Sequence, residues 1–169
     1  LVDPSDGTKD LIDATLRTPI EAAVSFGDDP LRMLRAVRFT SQLGFQLDVA
    51  SFDAIVELRR RILDISAERV RDELVKLLKT DKPRAGLELF VETGLAELVL
   101  PELPALQLER DDAHLHKYVY EHSITVLEQA ISLERERNPG AESDLVLRLA
   151  ALLHDIGKPK TRRFGENKK

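Results

Sequence analysis

The chain has 169 residues, 43% hydrophobic and 33% charged, with a formal net charge of -5, which suits one large or two small helical domains with a real core. No apolar run approaches the ~20 residues of a bilayer span and no signal peptide opens the chain, so a cytoplasmic protein without a membrane partner is expected. The absence of cysteine excludes a disulfide framework and a thiolate metal site, and the acidic balance argues against an all-round positive coat while leaving room for a local basic track. The start at Leu1 and the end on Lys168-Lys169 in a polar run read as a piece of a longer polypeptide.

In chain order, residues 1–19 open as an extended segment with a Pro/Asp/Gly turn, then a short helical stretch from Lys9 to about Ala14 and a candidate strand at Thr15-Leu16-Arg17. Residues 20–26 predict a short helix leading to Asp28-Asp29. Pro30 then opens the helix on which the rest depends, with Asp29 as its N-cap and Asp28 beside the positive end of its dipole. Leu31, Leu34, Phe39 and Leu43 recur at helical spacing as its apolar positions, and Gly44 is the expected stop. Arg32, Arg35 and Arg38 lie three apart, so at about 100° per residue they cover an arc of roughly 120°. Like charges on neighbouring turns repel. Such a stripe needs acidic partners from another helix or an anionic ligand, and arginine suits planar and phosphate groups.

Residues 48–61 predict a helix with Val49, Phe52, Ile55, Val56 and Leu58 inward and Arg59-Arg60-Arg61 as a solvated end, with a phosphate contact as the alternative. Ser66 caps a helix to about Lys79, with Val70, Leu74, Leu77 and Leu78 inward and Arg69 able to pair with Glu73 one turn on. Residues 83–106 suggest a helix ending at Gly94, a short apolar turn and two prolines that interrupt further helix. A long helix over 116–137 carries His122. Another over 143–156 ends in LLHDIGKP, delivering His154 and Asp155 before a stop at Gly157. His114 and His116 read as surface or core histidines, and KPKTRRFGENKK as a mobile basic end.

DDPLRMLRAVRFTSQLGF resembles the nucleotide-selecting motif of the bacterial-type (class II) tRNA nucleotidyltransferases, the CCA-adding enzymes, and of the related bacterial poly(A) polymerases. The family pattern is an acidic residue, then Asp-x-x-Arg, then further arginines; Asp28, Asp29, Arg32, Arg35 and Arg38 match it, with Asp28 where Glu is usual. Asp3, Pro4, Gly7, Asp10, Leu11, Leu16 and Arg17 resemble the segment that closes the family's catalytic head, with Asp6 in place of a glycine. SAERVRDELVKLL resembles the next motif, which buttresses the selecting helix, and the Glu-Thr-Gly-Leu and Leu-Pro-Glu-Leu stretches are similar to packing segments of the family.

His122 with His154-Asp155 resembles the metal-binding pattern of the HD-type phosphohydrolase domain. The resemblance implies these three as ligands of a divalent transition metal, a fourth ligand further downstream, and Lys158 near a phosphate. The implied fold is all-α: a remnant of the head over 1–19, a neck/body helical array over 20–106, and a truncated HD-type domain over 107–169. The implied function is addition of CMP or AMP from CTP or ATP to the 3′ end of tRNA or another RNA, with Asp29 and Arg32 reading the base, Asp28 beside them, and Arg35 and Arg38 holding the triphosphate. Both CCA addition and poly(A) synthesis read adenine, so the motif serves either. The head carboxylates that hold Mg²⁺ in the family would precede Leu1, so these 169 residues are expected to be inactive alone. Two other readings stand beside this one: a metal-dependent phosphohydrolase built on His122, His154 and Asp155, and a non-catalytic helical RNA-binding module.

Overall fold

A computed structural model describes residues 3–107 and 119–161. In chain order these form α1 (Gly7–Ile12), β1 (Thr15–Leu16), α2 (Ala22–Asp28), α3 (Leu31–Leu43), β2 (Gln46–Leu47), α4 (Val49–Leu58) and α5 (Ala67–Leu78). After these come α6 (Arg84–Glu92), α7 (Leu95–Val99), α8 (Val119–Arg137), α9 (Leu145–Leu153) and α10 (Lys158–Thr161), with 3₁₀ turns at Arg59–Asp64 and Pro104–Leu106. The described residues are all-α apart from one two-stranded parallel pairing, Thr15 with Gln46 and Leu16 with Leu47. That pairing ties the N-terminal segment to the end of α3; its first strand matches the expected one and its second was not foreseen.

Asp29 takes extended backbone and Pro30 the first right-handed position, so α3 begins as its sequence predicts, and Gly44 ends it at φ 69° with its N–H on the Thr40 carbonyl. The buried stripe of α3 differs from the expected one. Leu31, Met33, Leu34, Ala36, Val37, Thr40 and Ser41 are buried, whereas Leu43 is 48% exposed and Phe39 only half-buried. The physical reason is that α3 packs between α5 and α6. Contact on two sides widens the apolar face beyond a single heptad-like seam. Small residues supply the second contact. An added Cβ on Gly86 of α6 would stand 2.5 Å from Leu77 Cδ1, 2.6 Å from Ser41 Oγ and 2.7 Å from the Val37 carbonyl oxygen. Gly86→Ala therefore forces α3 and α6 apart at backbone level. It is expected to cost about 1–3 kcal/mol, read as a fall in Tm of roughly 3–10 °C; an unchanged Tm would refute the close approach.

Elsewhere the expected elements shift at their ends. α1 starts at Gly7 rather than Lys9, because the Asp3 carboxylate accepts from the N–H groups of Gly7 (2.8 Å) and Thr8 (2.7 Å). These hydrogen bonds hold the Asp3 carboxyl below the usual carboxylate range. Asp6, where the family resemblance places glycine, sits at φ 53°, a left-handed conformation that Asp tolerates better than most side chains. Val49, expected inward, is 76% exposed; Ile55 is buried as expected, and α4 also buries Ser51 and Ala54. The Arg59-Arg60-Arg61 run lies in a 3₁₀ turn. The apolar stretch after Gly94 (φ 75°) is helical, as α7. α9 ends at Leu153, with His154–Gly157 forming a turn before α10, so Gly157 is not the stop. His114, His116 and the basic end over 162–169 lie outside the described residues.

Two ionic clusters join the early helices to α8 and α9. Arg148 on α9 is fully buried; its Nε and Nη2 donate to Glu134 of α8 (2.9 and 2.7 Å) and its Nη1 to the carbonyls of Leu78 and Thr80 (2.7 and 2.8 Å). Arg84 of α6 donates to Glu128 (2.8 and 3.0 Å) and Glu121 (3.0 Å) of α8 and to Glu88 of its own helix (3.2 Å), which stabilise its charged form.

Candidate nucleotide-reading tip and HD-type trio

α2 and α3 meet at a sharp corner, and the corner presents the two residues of the motif. Asp29 lies in the extended joint; its Oδ1 accepts from the Leu31 N–H (3.3 Å) and its Oδ2 from Arg69 Nη2 of α5 (3.5 Å), leaving the side chain 32% exposed. Arg32, the second residue of α3, is exposed, and its Nη1 donates backward to the carbonyl (3.2 Å) and hydroxyl (3.1 Å) of Ser25, a buried residue of α2. Carboxylate and guanidinium are thus each steadied by a different neighbour and not paired with one another. Asp28 is exposed as the last residue of α2. Its charge stands at the negative end of the α2 dipole as well as the positive end of α3, a position its spacing from Pro30 did not reveal.

The expected continuous arginine face is corrected by the packing. Arg32 and Arg35 are exposed, but Arg38 is buried; its Nε donates to Glu73 of α5 (2.8 Å), its Nη1 to Gln42, and its guanidinium lies 4.1 Å over the Phe39 ring. Arg35 reaches the same ring at 6.0 Å. Burial pushes the Glu73 carboxyl up, yet hydrogen bonds from Lys76 and Arg38 outweigh it and leave the group below its ordinary value. The predicted Arg69–Glu73 pair does not form: Glu73 turns inward to Arg38, and Arg69 turns outward to Asp29. α5 therefore braces α3 at both ends. Ser25 and Glu73 escaped sequence reasoning because nothing in spacing along one helix reports a partner on another.

At the far end of the array, one ligand atom each from His122, His154 and Asp155 lies within 4.8 Å of the others. His154 Nδ1 stands 2.8 Å from the Ala151 carbonyl, which can only accept, so the ring hydrogen belongs there. Its Nε2 stands 3.2 Å from Asp155 Oδ2, and the His122 ring meets the His154 ring edge-on, with centroids 5.2 Å apart. Lys158 Nζ lies 2.6 Å from the same Asp155 oxygen and balances the carboxylate from the side. Two imidazoles and a carboxylate, one imidazole oriented by a backbone carbonyl, fit a divalent transition metal.

The class defined by this arrangement is an all-α array that exposes a carboxylate–guanidinium tip on its central helix and ends in an HD-type trio. A family model described as the probable RNA and SrmB-binding site of polymerase A matches residues 44–106, and the HD domain model matches 119–169. The A-adding tRNA nucleotidyltransferase of Deinococcus radiodurans is 39% identical over 166 residues, covering 95% of this chain and 36% of that protein. The multifunctional CCA protein of Neisseria gonorrhoeae is 34% identical over 167 residues, covering 95% and 38%. Among solved structures, the Bacillus stearothermophilus CCA-adding enzyme in complex with CTP superposes with TM-score 0.61 at 30% identity, over 95% of this chain and 43% of that one. An apo tRNA-processing enzyme shares the fold at TM-score 0.67 and 22% identity. Over 95% of its length the chain is similar to members of the tRNA nucleotidyltransferase and poly(A) polymerase family. It spans little more than a third of the length of these curated relatives, 36% and 38%. No described helix is long and apolar enough to cross a membrane.

Proposed function

We propose that this chain supplies nucleotide selection and RNA contacts for the addition of CMP and AMP, from CTP and ATP, to the 3′ end of tRNA or a similar RNA. The observation that carries the reading is the Asp29–Arg32 pair, Asp29 half-buried and Arg32 exposed, each member braced by its own neighbour and neither neutralising the other. Cytosine and adenine both present an exocyclic amine beside an unprotonated ring nitrogen. Asp29 accepts from the amine and Arg32 donates to the ring nitrogen. Uracil and guanine present a carbonyl and an N–H there, leaving both protein groups unpaired. Arg35, exposed one turn on, meets the triphosphate, and Arg38 holds α3 in place through Glu73. The organisation proposed is a head remnant over 1–19, neck and body over 20–106, and an HD-type half over 107–169. Mg²⁺ held by carboxylates outside these residues would supply the charge neutralisation of phosphoryl transfer. The test is incorporation by the polypeptide that carries this chain, on an RNA lacking its 3′ end, with each of the four nucleoside triphosphates. Addition of UMP or GMP at the rate of CMP or AMP overturns the reading.

A second reading, a metal-dependent phosphohydrolase activity, is favoured by the trio alone. His122, His154 and Asp155 would hold a divalent transition metal, whose Lewis acidity activates water when bound. One equivalent of Co²⁺ or Mn²⁺ is expected to bind by equilibrium dialysis and to be lost, by about tenfold or more in affinity, in His154→Ala and Asp155→Ala. Equal binding by the wild type and both variants would remove the metal from this site. Phosphodiesterase activity that survives Arg32→Ala and disappears with Asp155→Ala would establish the second reading as an activity in its own right.

A further inference from the structure

Asp155 has two partners on one oxygen: its Oδ2 stands 3.2 Å from His154 Nε2 and 2.6 Å from Lys158 Nζ. The two ends of the ion pair differ in freedom. The Asp155 side chain is 13% exposed in the turn after α9, whereas that of Lys158 is 51% exposed on a flexible four-carbon stem. The ion pair is also not what makes the turn. The Lys158 N–H already donates to the Asp155 carbonyl (2.9 Å), and the Gly157 carbonyl accepts from the N–H groups of Lys160 and Thr161 (both 3.1 Å). The side-chain pair can therefore break while the main chain keeps its local fold.

A divalent ion shared by the trio needs this same oxygen. Nitrogen and oxygen ligands lie about 2.0–2.2 Å from such an ion, which sets neighbouring ligand atoms roughly 3.0–3.5 Å apart. The 3.2 Å between His154 Nε2 and Asp155 Oδ2 suits that spacing. An ammonium 2.6 Å from the oxygen would then face a like charge at close quarters. Of the two, the exposed and flexible Lys158 is the one that can leave. We propose that Lys158 is an exchangeable counter-cation of the HD-type site: it neutralises Asp155 in the metal-free chain and releases that carboxylate when a divalent ion takes it. This rests on the metal reading of the trio given above. Release has a second consequence. The freed ammonium stays tethered three residues from a metal ligand, where it meets a phosphate group drawn to the same place, as a point charge. Metal first and phosphate second is the order this imposes, because without metal Lys158 is engaged by Asp155.

The test is the affinity of the polypeptide that carries this chain for Co²⁺, read by visible absorption, and then for inorganic phosphate on the Co²⁺-loaded protein, read by calorimetry. Lys158→Met removes the charge and keeps the length of the side chain. It is expected to bind Co²⁺ roughly 5- to 30-fold more tightly than the wild type, the range set by an ion pair with one shielded partner. Phosphate moves the other way, binding about tenfold more weakly to loaded Lys158→Met. Lys158→Arg keeps the charge and stays close to the wild type in both, and the Tm of each variant remains at the wild-type value. Weaker Co²⁺ binding by Lys158→Met would make Lys158 a brace that orients Asp155, and equal binding would make it a bystander; either overturns the exchange. Phosphate affinity that is unchanged or higher in Lys158→Met overturns it too. Loss of Co²⁺ in His154→Ala and Asp155→Ala with no gain in Lys158→Met sinks the exchange alone. Co²⁺ held by both of those variants as tightly as by the wild type sinks the metal reading beneath it.

Discussion

Arg32→Ala is expected to lower kcat/KM for CTP and ATP by about 10²-fold or more while leaving UTP and GTP near their already low values, so that discrimination collapses. The size follows from polar mismatch. A site built to hydrogen-bond two groups of a base rejects a base that presents the opposite groups far more strongly than a pocket rejects an extra methylene. Arg32→Lys is expected to fail as well, because a single ammonium on a flexible stem cannot reproduce a planar fork held at Nη1 by Ser25. Ser25→Ala makes a useful intermediate: it removes one of the two bonds that aim Arg32, and its effect should fall on selectivity more than on overall rate. Asp29→Asn relaxes the choice from the other side, since an amide can present either an acceptor or a donor to the base edge. Steady-state kinetics with the four nucleotides, on the polypeptide that carries this chain, separate these cases. Equal losses for all four nucleotides in Arg32→Ala would show that the guanidinium serves binding in general and not base reading.

Arg148→Ala is expected to be the most destabilising single substitution in the protein, by about 3–5 kcal/mol or roughly 10 °C in Tm. Removal of the guanidinium leaves the Glu134 carboxylate buried without its partner and strips the Leu78 and Thr80 carbonyls at the end of α5 of their donor. A paired replacement, Arg148→Met with Glu134→Leu, should recover much of the loss, because an apolar pair of similar volume avoids the desolvation cost of both charges. Acid has a related effect. Burial raises the Glu134 carboxyl, but the Asp144 N–H and Arg148 outweigh it and the folded group titrates below its ordinary value. A depressed carboxylate contributes stability that is present above the unfolded value of about 4.3 and lost as pH falls through the lower, folded one. Urea unfolding at neutral pH and near pH 3–4 should therefore show a loss on acidification that Glu134→Gln reduces. A pH dependence identical in the wild type and Glu134→Gln would remove this carboxylate from the acid response.

A lone arginine in the apolar run LVLRLAALL was the visible trace of this cluster. A long cation flanked by leucines is rarely left buried without a partner. Its partner, Glu134, sits fourteen residues earlier on another helix, and the two carbonyls it caps are about seventy residues away. The same holds for Arg38. Its spacing from Arg32 and Arg35 left acidic partners on another helix and an anionic ligand both open, and the carboxylate that draws it inward lies thirty-five residues away.

Spacing, caps and turn residues are properties of neighbours along the chain, so the all-α class, the start of α3 at Asp29-Pro30 and its stop at Gly44 could be read directly from the residues. Which arginine points to solvent and which to a buried glutamate depends on the helices that pack against α3, and no local pattern encodes them. Desolvation and charge pairing act through space. They turned Arg69 from Glu73 to Asp29, drew Arg38 out of the stripe and buried Arg148.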